Sequence, residues 1–439
     1  MKRRLLPILM TLVLVCALPI WAAFVTSGDV TNPLVCTAGA TSSEESAVEK
    51  LKLAISRGGT VQLTEDIEIT QTLYVERSMT IDLNGHVLKM TGDGSVLKVS
   101  GRATLTIQDS SAAKSGTITG GNAKDGGGVY IEAYATLEMT GGCITGCRAE
   151  DGGGVYIDNN ATLKMTGGCI TDCHASYGGG IYSYENLYMG GTAKIEKCTS
   201  NGGSYDAIWN RERCNIYADG GTVDGTVSNL GTIMHSEGAA AETVFNGTVY
   251  NRSAGKIEAG IYKGTVENTG TITGGTFYDA VTNRKASLSF MTEAGTISGG
   301  TFYGSIVNEG GPEQVADSAK VAVTFNTDGG TSVAEEKVLR GQKMSKPAAP
   351  TKSGYTFTGW EDANGAYDFN TPVIAPLTLT ARWEEVPSSG GNYYYHPTTD
   401  TKADDAKGSP KTADPGVALY AALSLLSLTG LTYTGRKKF

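Results

Sequence analysis

Cysteines at a repeated spacing are the first residues that suggest chemistry. Two C-x3-C pairs, Cys143/Cys147 and Cys169/Cys173, occur 26 residues apart. Four thiolates can hold zinc, but residues four positions apart on a strand lie about 13 Å from each other, too far to share one ion. If one pair stacks on the other, a disulfide between the copies is the alternative. We favour free thiols that pack as small apolar groups, and we predict no metal site.

Carboxylates form the second candidate group, at the predicted corners of neighbouring copies: Asp125, Glu150, Asp151 and Asp172. Paired carboxylates, or calcium beside a base, on one lateral face would suit a polysaccharide lyase or glycosidase. The alternative is that they form turns before Gly-Gly-Gly. We favour turns, because near-identical copies build a ladder of like groups and a catalytic site combines unlike ones. The spacing also lacks the nine-residue period of calcium-binding repeats. The sequence therefore predicts no catalytic residue and no cofactor, with a polysaccharide-degrading enzyme as the alternative.

Tyrosines form the third group. Tyr130, Tyr156 and Tyr182 occupy the same place in three successive copies and are expected to point outward as a ladder. Tyrosine rings on a flat face can stack on sugar rings or contact a protein edge. We therefore predict these three residues as a ligand-binding face, while ordinary ladder formation remains the structural alternative.

The elements that must position these groups come from a duplicated stretch. Residues 125–150 and 151–176 are near-copies, and a third, divergent copy runs from Gly178 to Cys198. Each copy holds three short runs of β-formers separated by Gly-rich corners, which predicts one coil of a parallel β-helix stacked at about 4.8 Å on the next. We expect this solenoid over residues 43–311, with about ten coils.

The copies also predict which side chains face inward. Alternation along each run places eight apolar side chains in the core: Val129, Ile131, Leu137, Met139, Val155, Ile157, Leu163 and Met165. Glu138 is then expected to stack on Lys164, a pair of opposite charges on adjacent coils.

Later units are shorter and carry a different signature. GTVSN, GTVYN, GTVEN and GSIVN predict an inward asparagine ladder of Asn229, Asn251, Asn268 and Asn308. A second tyrosine set is expected from Tyr262, Tyr278 and Tyr303.

A short amphipathic helix is expected before the first strand. Ser42 and Glu45 match the capping-box pattern, and apolar residues at helical spacing follow through residues 43–57. This helix would cover the open end of the solenoid. The segment from Gly58 through His86 resembles the first coils of right-handed parallel β-helices on bacterial surface proteins, which implies that hand for this solenoid.

Residues 320–385 have a different composition. They contain Gly354-Tyr355, Phe357, Gly359-Trp360 and Ala381-Arg382-Trp383. This segment resembles the internalin B-repeat, or Listeria–Bacteroides repeat. The resemblance implies a small β-grasp-like domain, a surface-protein module without known catalysis. We expect four strands whose core contains Tyr355, Phe357, Trp360 and Trp383.

The N-terminus has the order of a secretory signal peptide. Lys2, Arg3 and Arg4 precede an apolar run over residues 5–23, and we assign residues 1–27 to the signal. An uncleaved membrane anchor is the alternative. Either way, the main part of the chain is expected outside the cell.

The C-terminus combines a polar linker, a short motif, an apolar span and a basic tail. Residues 386–408 are too polar to fold, and we expect them to form a disordered linker. Residues 409–439 resemble a sortase sorting signal, whose pattern is Leu-Pro-x-Thr-Gly. The corresponding residues are Ser409, Pro410, Lys411, Thr412 and Ala413, of which Pro410 and Thr412 match. The resemblance implies cleavage after Thr412 by sortase and attachment to peptidoglycan, with a plain transmembrane anchor as the alternative.

Charge excludes one class of partner. The net charge of −9 and a pI near 5.2 argue against nucleic acid, because binding to phosphates needs clustered Lys and Arg. The sequence therefore predicts an all-β, cell-wall-anchored surface protein that binds a host glycan or a surface protein without catalysis. A passive stalk is a further alternative.

Overall fold

The computed structural model describes residues 34–35, 46–201, 207–285 and 294–387. The predicted signal peptide, the linker from residue 388 onward, the motif Ser409–Ala413 and the apolar span lie outside the described residues. Within the described residues, no helix is long and apolar enough to cross a membrane. The fold is all-β and contains the predicted parallel β-helix, with eleven coils in the described residues.

The helices and strands follow in chain order. The first coils contain β1 (Leu34–Val35), α1 (Ala47–Arg57), β2 (Gly59–Gln62), β3 (Ile67–Ile69), β4 (Leu73–Val75), β5 (Met79–Asp82), β6 (Val87–Met90), β7 (Leu97–Val99), β8 (Thr104–Gln108), β9 (Thr117–Thr119) and β10 (Val129–Ile131). The middle coils contain β11 (Thr136–Met139), β12 (Cys143–Thr145), β13 (Val155–Ile157), β14 (Thr162–Met165), β15 (Cys169–Thr171), β16 (His174–Ala175), β17 (Ile181–Ser183), β18 (Asn186–Glu196), β19 (Thr199–Ser200), β20 (Ile208–Asn210), β21 (Asn215–Asp224) and β22 (Val227–Asn229). The last coils contain β23 (Thr232–Met234), β24 (Val244–Phe245), β25 (Val249–Asn251), β26 (Lys256–Ile257), β27 (Ile261–Tyr262), β28 (Val266–Asn268), β29 (Thr271–Ile272), β30 (Thr276–Phe277), β31 (Val281–Asn283), β32 (Thr296–Ile297), β33 (Thr301–Phe302) and β34 (Ile306–Asn308).

These strands stack in parallel into three faces. The first two faces join into one 21-stranded sheet, because β18 and β21 each run through both. The third face is a separate 11-stranded sheet of β4, β7, β10, β13, β17, β20, β22, β25, β28, β31 and β34. β16 and β19 pair alone at a corner.

The duplicated stretch has the predicted register. Val129 pairs with Val155, and all eight predicted inward side chains are fully buried. Glu138 pairs with Lys164, and their charged groups lie 3.3 Å apart. The Gly-Gly-Gly corners need glycine because the backbones of neighbouring segments lie very close together there. A Cβ on Gly127 would lie 2.4 Å from the Arg148 carbonyl oxygen. Period-2 alternation and glycine corners therefore account for the coil.

The core changes character along the axis. On the second face, aliphatic side chains give way to an inner aromatic stack of Phe245, Tyr262, Phe277 and Phe302, with centroids 4.8–5.0 Å apart. The prediction for Tyr262 was therefore wrong: it pairs with Phe277, not with Tyr278, and is fully buried. A slip of one residue moves a side chain to the opposite face. Tyr278 and Tyr303 alone form the outward pair, 4.8 Å apart.

The asparagine ladder is confirmed and is longer than predicted. It runs through Asn210, Asn229, Asn251, Asn268, Asn283 and Asn308, each donating its amide N–H to the next side-chain oxygen at 2.7–2.9 Å. Asn210 and Asn283 were missed from the sequence. The last amide donates to the Gly311 carbonyl, 3.0 Å away. The first oxygen, Asn210 Oδ1, is buried and accepts no hydrogen bond from the described residues.

Helix α1 covers the first coil, as expected, but begins later than predicted. Its N-cap is Ser46, whose Oγ accepts the Glu49 N–H at 3.3 Å. The S-x-x-E pattern that starts the helix is thus Ser46–Glu49, and the predicted Ser42–Glu45 pair lies outside the described residues. Leu51, Ala54 and Ile55 pack into the β-helix core.

The final described segment is a five-stranded sheet reached through η1 (Pro312–Gln314) and η2 (Asp317–Ala319). It comprises β35 (Lys320–Asn326), β36 (Glu336–Leu339), β37 (Tyr355–Asp362), β38 (Gly365–Ala366) and β39 (Leu377–Glu385), in the order β36-β35-β39-β37-β38. Trp360 is the buried centre, flanked by Phe357 and Trp383. The prediction for Tyr355 was wrong, because it is 40% exposed.

This small sheet closes the open end of the β-helix. The Ile306 N–H donates to the Arg340 carbonyl at 2.8 Å, and Arg340 Nε donates to the Tyr303 carbonyl at 2.9 Å. Leu339 packs against the β-helix core. The last coil, which would otherwise expose backbone and apolar groups, is therefore covered.

Candidate functional site

The third face carries one continuous row of outward rings. Tyr130, Tyr156, Tyr182 and Trp209 lie at the centres of β10, β13, β17 and β20 and pair in register. Their centroids are 5.0, 5.6 and 6.3 Å apart, and each successive pair is stacked. We call these four residues the aromatic ladder. Lys98 from the preceding coil lies 4.6 Å from the Tyr130 ring centre.

The ladder is less accessible than the sequence predicted. Tyr156 and Tyr182 are only 9% and 7% exposed, because the rings cover each other and Tyr184 lies tilted across both. Burial, followed by the Asp158 carboxylate, raises the pKa of Tyr130, whose hydroxyl donates to Asp158 at 3.0 Å. The central rings therefore offer little free surface to a ligand and stabilise the face instead.

An open cleft of about 760 Å³ lies at the end of the ladder. We call it the ladder-end cleft, and its lining residues are Asn159, Tyr182, Tyr184, Glu185, Trp209, Arg211, Glu212, Arg213, Cys214 and Leu230. The Arg211 guanidinium lies 4.1 Å from the Tyr184 ring centre. Its size is that of a small-ligand site, and it combines aromatic walls with a few polar groups.

Arg211 is held in place by the tyrosines around it. Burial lowers its pKa, but the Tyr182 and Tyr184 hydroxyls outweigh this, so that its pKa is raised. Of the cleft carboxylates, Glu185 accepts the Asn160 N–H at 3.1 Å and the Asn186 amide at 3.4 Å. The cleft thus presents a positioned cation beside aromatic surface.

Three of the four predicted carboxylates lie close together beside the ladder. Asp125 and Asp151 are paired on adjacent coils, and Glu150 precedes Asp151 in the same corner. Burial, then Asp125 and Glu150, raises the pKa of Asp151 to about 6. Burial also raises the pKa of Asp125. Asp172 lies at a different corner, after β15, where it accepts the Thr171 hydroxyl.

The cysteines overturn one prediction. Cys143 and Cys169 form a disulfide between adjacent coils, whereas free thiols were preferred for all four residues of the repeated pairs. Cys147 and Cys173 are free and buried, as are Cys198 and Cys214. The Cys173 side chain, then burial, raises the pKa of Cys147. The disulfide occupies two of the four sulfurs, and the described residues contain no cluster of three or more His, Cys, Asp or Glu side chains placed to hold a metal ion.

Sequence reasoning missed Tyr184, Trp209 and Arg211, although a signal was present. Residues 181–185 read IYSYE and residues 208–212 read IWNRE, the same pattern one coil apart. The spacing of 27 differs from the 26 of the duplication, and the intervening copy is divergent. Trp209 was therefore not recognised as the next member of the ladder.

The small sheet matches a known family. Residues 322–382 match the Listeria-Bacteroides repeat domain, which confirms the resemblance of this module. The whole β-helix lies outside this match.

Three bacterial proteins show local similarity. A "Putative Gly-rich membrane protein" of Evansella cellulosilytica is 36% identical over 66 residues, covering 14% of this chain and 8% of that protein. A "Putative membrane protein" of the same organism is 32% identical over 118 residues, covering 26% and 17%. "Internalin H" of Listeria monocytogenes is 34% identical over 91 residues, covering 20% and 16%. The matches thus span less than a fifth of each relative's length.

Proposed function

We propose that this chain is a non-catalytic protein of the bacterial cell envelope that is displayed outside the cell and binds a glycan in the ladder-end cleft. The observation that carries the proposal is the cleft itself, which is open, about 760 Å³ in volume, and lined by Tyr184 and Trp209 beside Arg211. Aromatic walls with few polar groups suit the apolar faces and hydroxyl edges of sugar rings.

Location outside the cell is supported by the comparisons and by the sequence of the two chain ends. The Listeria-Bacteroides repeat and the local similarity to proteins named as membrane proteins or internalin favour the cell envelope. The signal-like residues 1–27 support secretion, and the resemblance of residues 409–439 to a sorting signal supports sortase and peptidoglycan as anchoring partners.

A second function is favoured by one observation. Asp151, with a pKa raised to about 6, lies beside Asp125 and could act as a general acid on a polysaccharide. This would make the protein a lyase or glycosidase. The pairing of like carboxylates in a duplicated corner supports the turn role instead.

A glycan panel separates these functions. The purified protein is tested for retention on plant and host glycans, and each glycan is tested for new reducing or unsaturated ends. Binding in the cleft is supported if a glycan is retained without new ends. This retention should be lost in Tyr184→Ala and kept in Tyr278→Ala. Tyr278 is the matched control, because it is an exposed ring on another part of the β-helix.

Other outcomes contradict the proposal. New ends that disappear in Asp151→Asn would favour the enzyme. If no glycan is either retained or cleaved, the remaining functions are the binding of a protein ligand and a passive stalk.

A further inference from the structure

The charged residues beside the rings change along the third face, from mostly carboxylates to a mixture that includes arginines. Carboxylates lie beside the first three rings of the aromatic ladder: Asp125 and Asp158 act on Tyr130 and Tyr156, and Asp151 acts on Tyr182. The position two residues after the ring is Asp158 in the coil of Tyr156, but it is an arginine in the coils of Trp209 and Tyr250. Arg211 follows Trp209 by two residues, and Arg252 follows Tyr250 by two residues. The lining of the ladder-end cleft holds two carboxylates, Glu185 and Glu212, and two arginines, Arg211 and Arg213, and Arg252 adds a further positive charge on this face.

The two arginines repeat one arrangement. Arg211 lies 4.1 Å from the Tyr184 ring centre, and Arg252 lies 4.8 Å from the Tyr250 ring centre. Strand pairing places Ser228 between Trp209 and Tyr250, so the arginines are two coils apart, about 10 Å. Between them lies Leu230, which lines the ladder-end cleft.

Neither guanidinium is neutralised within the described residues. No carboxylate there lies within 4.0 Å of Arg211 or Arg252. Other half-buried cations differ: Lys98 pairs with Glu132 at 2.8 Å, and Lys352 pairs with Asp328 at 3.3 Å. Arg252 Nε donates to the Ser228 hydroxyl at 3.4 Å, and Arg211 contacts the Tyr182 and Tyr184 hydroxyls. A guanidinium has five N–H donors, so each arginine keeps further N–H groups for a planar anion.

We propose that the ligand is an anionic glycan, whose acidic groups pair with Arg211 and Arg252 while a sugar ring lies in the ladder-end cleft. This inference rests on the proposed glycan-binding function. The acidic group is a carboxylate, as in a uronic acid, or a sulfate ester, since both accept paired N–H donors. The carboxylates Asp125, Asp151 and Asp158 would repel the same ligand. They would thereby limit it to the part of the face that carries Arg211 and Arg252.

Matched oligosaccharides test the proposal by calorimetry. The probes are an oligogalacturonate and its neutral methyl ester, and a sulfated oligosaccharide and its desulfated form. We expect the acidic member of at least one pair to bind about tenfold more tightly, with a preference that weakens as salt rises. The pair of probes that shows this preference identifies the acidic group as a carboxylate or a sulfate.

Variants locate the effect. Arg211→Gln and Arg252→Gln should each remove most of the acidic preference and leave the neutral affinity nearly unchanged. Arg102→Gln should leave both unchanged; it is the matched control, because Arg102 also lies on an exposed ring, that of Tyr134, at 4.9 Å. Unchanged circular dichroism and melting temperature establish that each variant is folded.

The contradicting results differ for the two proposals. Equal binding of acidic and neutral forms, both weakened by Tyr184→Ala, overturns this inference and leaves glycan binding intact. Absence of binding by every oligosaccharide overturns both. If an acidic peptide such as poly-glutamate binds as tightly as the acidic glycan through the same arginines, the glycan assignment is wrong.

Discussion

Asp109 illustrates how one buried carboxylate can fix several corners. Its oxygens accept the backbone N–H groups of Gly85, Ser111 and Gly116 at 2.9, 3.0 and 2.7 Å. Burial raises its pKa, but the hydrogen bonds from Ser111, Gly116 and Gly85 outweigh burial and hold the pKa below its usual value. Such a group stabilises the fold above the unfolded pKa of about 3.8, and that stabilisation is lost as the pH falls through the folded pKa.

Asp109→Asn should therefore lower the free energy of unfolding at pH 7 by about 1–3 kcal/mol, because the amide nitrogen cannot accept one of the three bonds. The difference from wild type should shrink at pH 3. Urea unfolding at both pH values measures it, with the exposed Asp172→Asn as control. An equal loss at both pH values would contradict the ionised role.

Asp151 should behave in the opposite sense. Its pKa is raised to about 6, so the folded protein holds a proton that the unfolded chain releases above about pH 3.8. Stability from this group falls as the pH rises from about 4 to 6. Asp151→Asn should raise the melting temperature at pH 7 and leave it unchanged near pH 3.5. A decrease at pH 7 would show that the carboxylate is needed in its charged form.

The asparagine ladder is the element that orders the last coils. Asn251 accepts from Asn229 at 2.8 Å and donates to Asn268 at 2.7 Å, inside the core. Asn251→Leu should destabilise the protein by about 2–4 kcal/mol, because both neighbours lose a partner away from water. Exposed Asn246→Leu, one strand away, should cost less than about 0.5 kcal/mol. Chemical denaturation compares them; equal effects would mean that the ladder adds no stability.

How far the sequence predicts these elements depends on how well the copies align. At a constant offset of 26, alternation determined which side chains point inward, and the structure agrees. In the short later coils, aligning tyrosines by residue type misplaced Tyr262, whose true partner is Phe277. The disulfide could not be decided, because stacking brings Cys143 and Cys169 close in either redox state. The burial of Tyr156 depends on Tyr184, which only the folded coil places there.

At the scale of the whole molecule, the small sheet and the β-helix should unfold together. Gly341 has φ +81°, and a Cβ there would lie 2.5 Å from the Ser305 Cβ. Gly354 has φ +78°, with nothing near the same position. Both alanine variants incur about 1–2 kcal/mol of backbone strain, but only Gly341→Ala should push the modules apart.

Scanning calorimetry should therefore show one transition for wild type and for Gly354→Ala. Gly341→Ala should show a lower melting temperature and two separated transitions. Identical traces for the two variants would contradict the role of this contact in closing the β-helix.

The location of the ligand is the central claim, and hydrogen–deuterium exchange tests it directly. The protein is compared with and without a saturating glycan retained on the panel. We predict slower exchange in peptides that contain Tyr184 and Arg211, and unchanged exchange in peptides that contain Tyr278 and Tyr303. Protection confined to another face, or no change anywhere under saturating glycan, would contradict the assignment of the ladder-end cleft as the binding site.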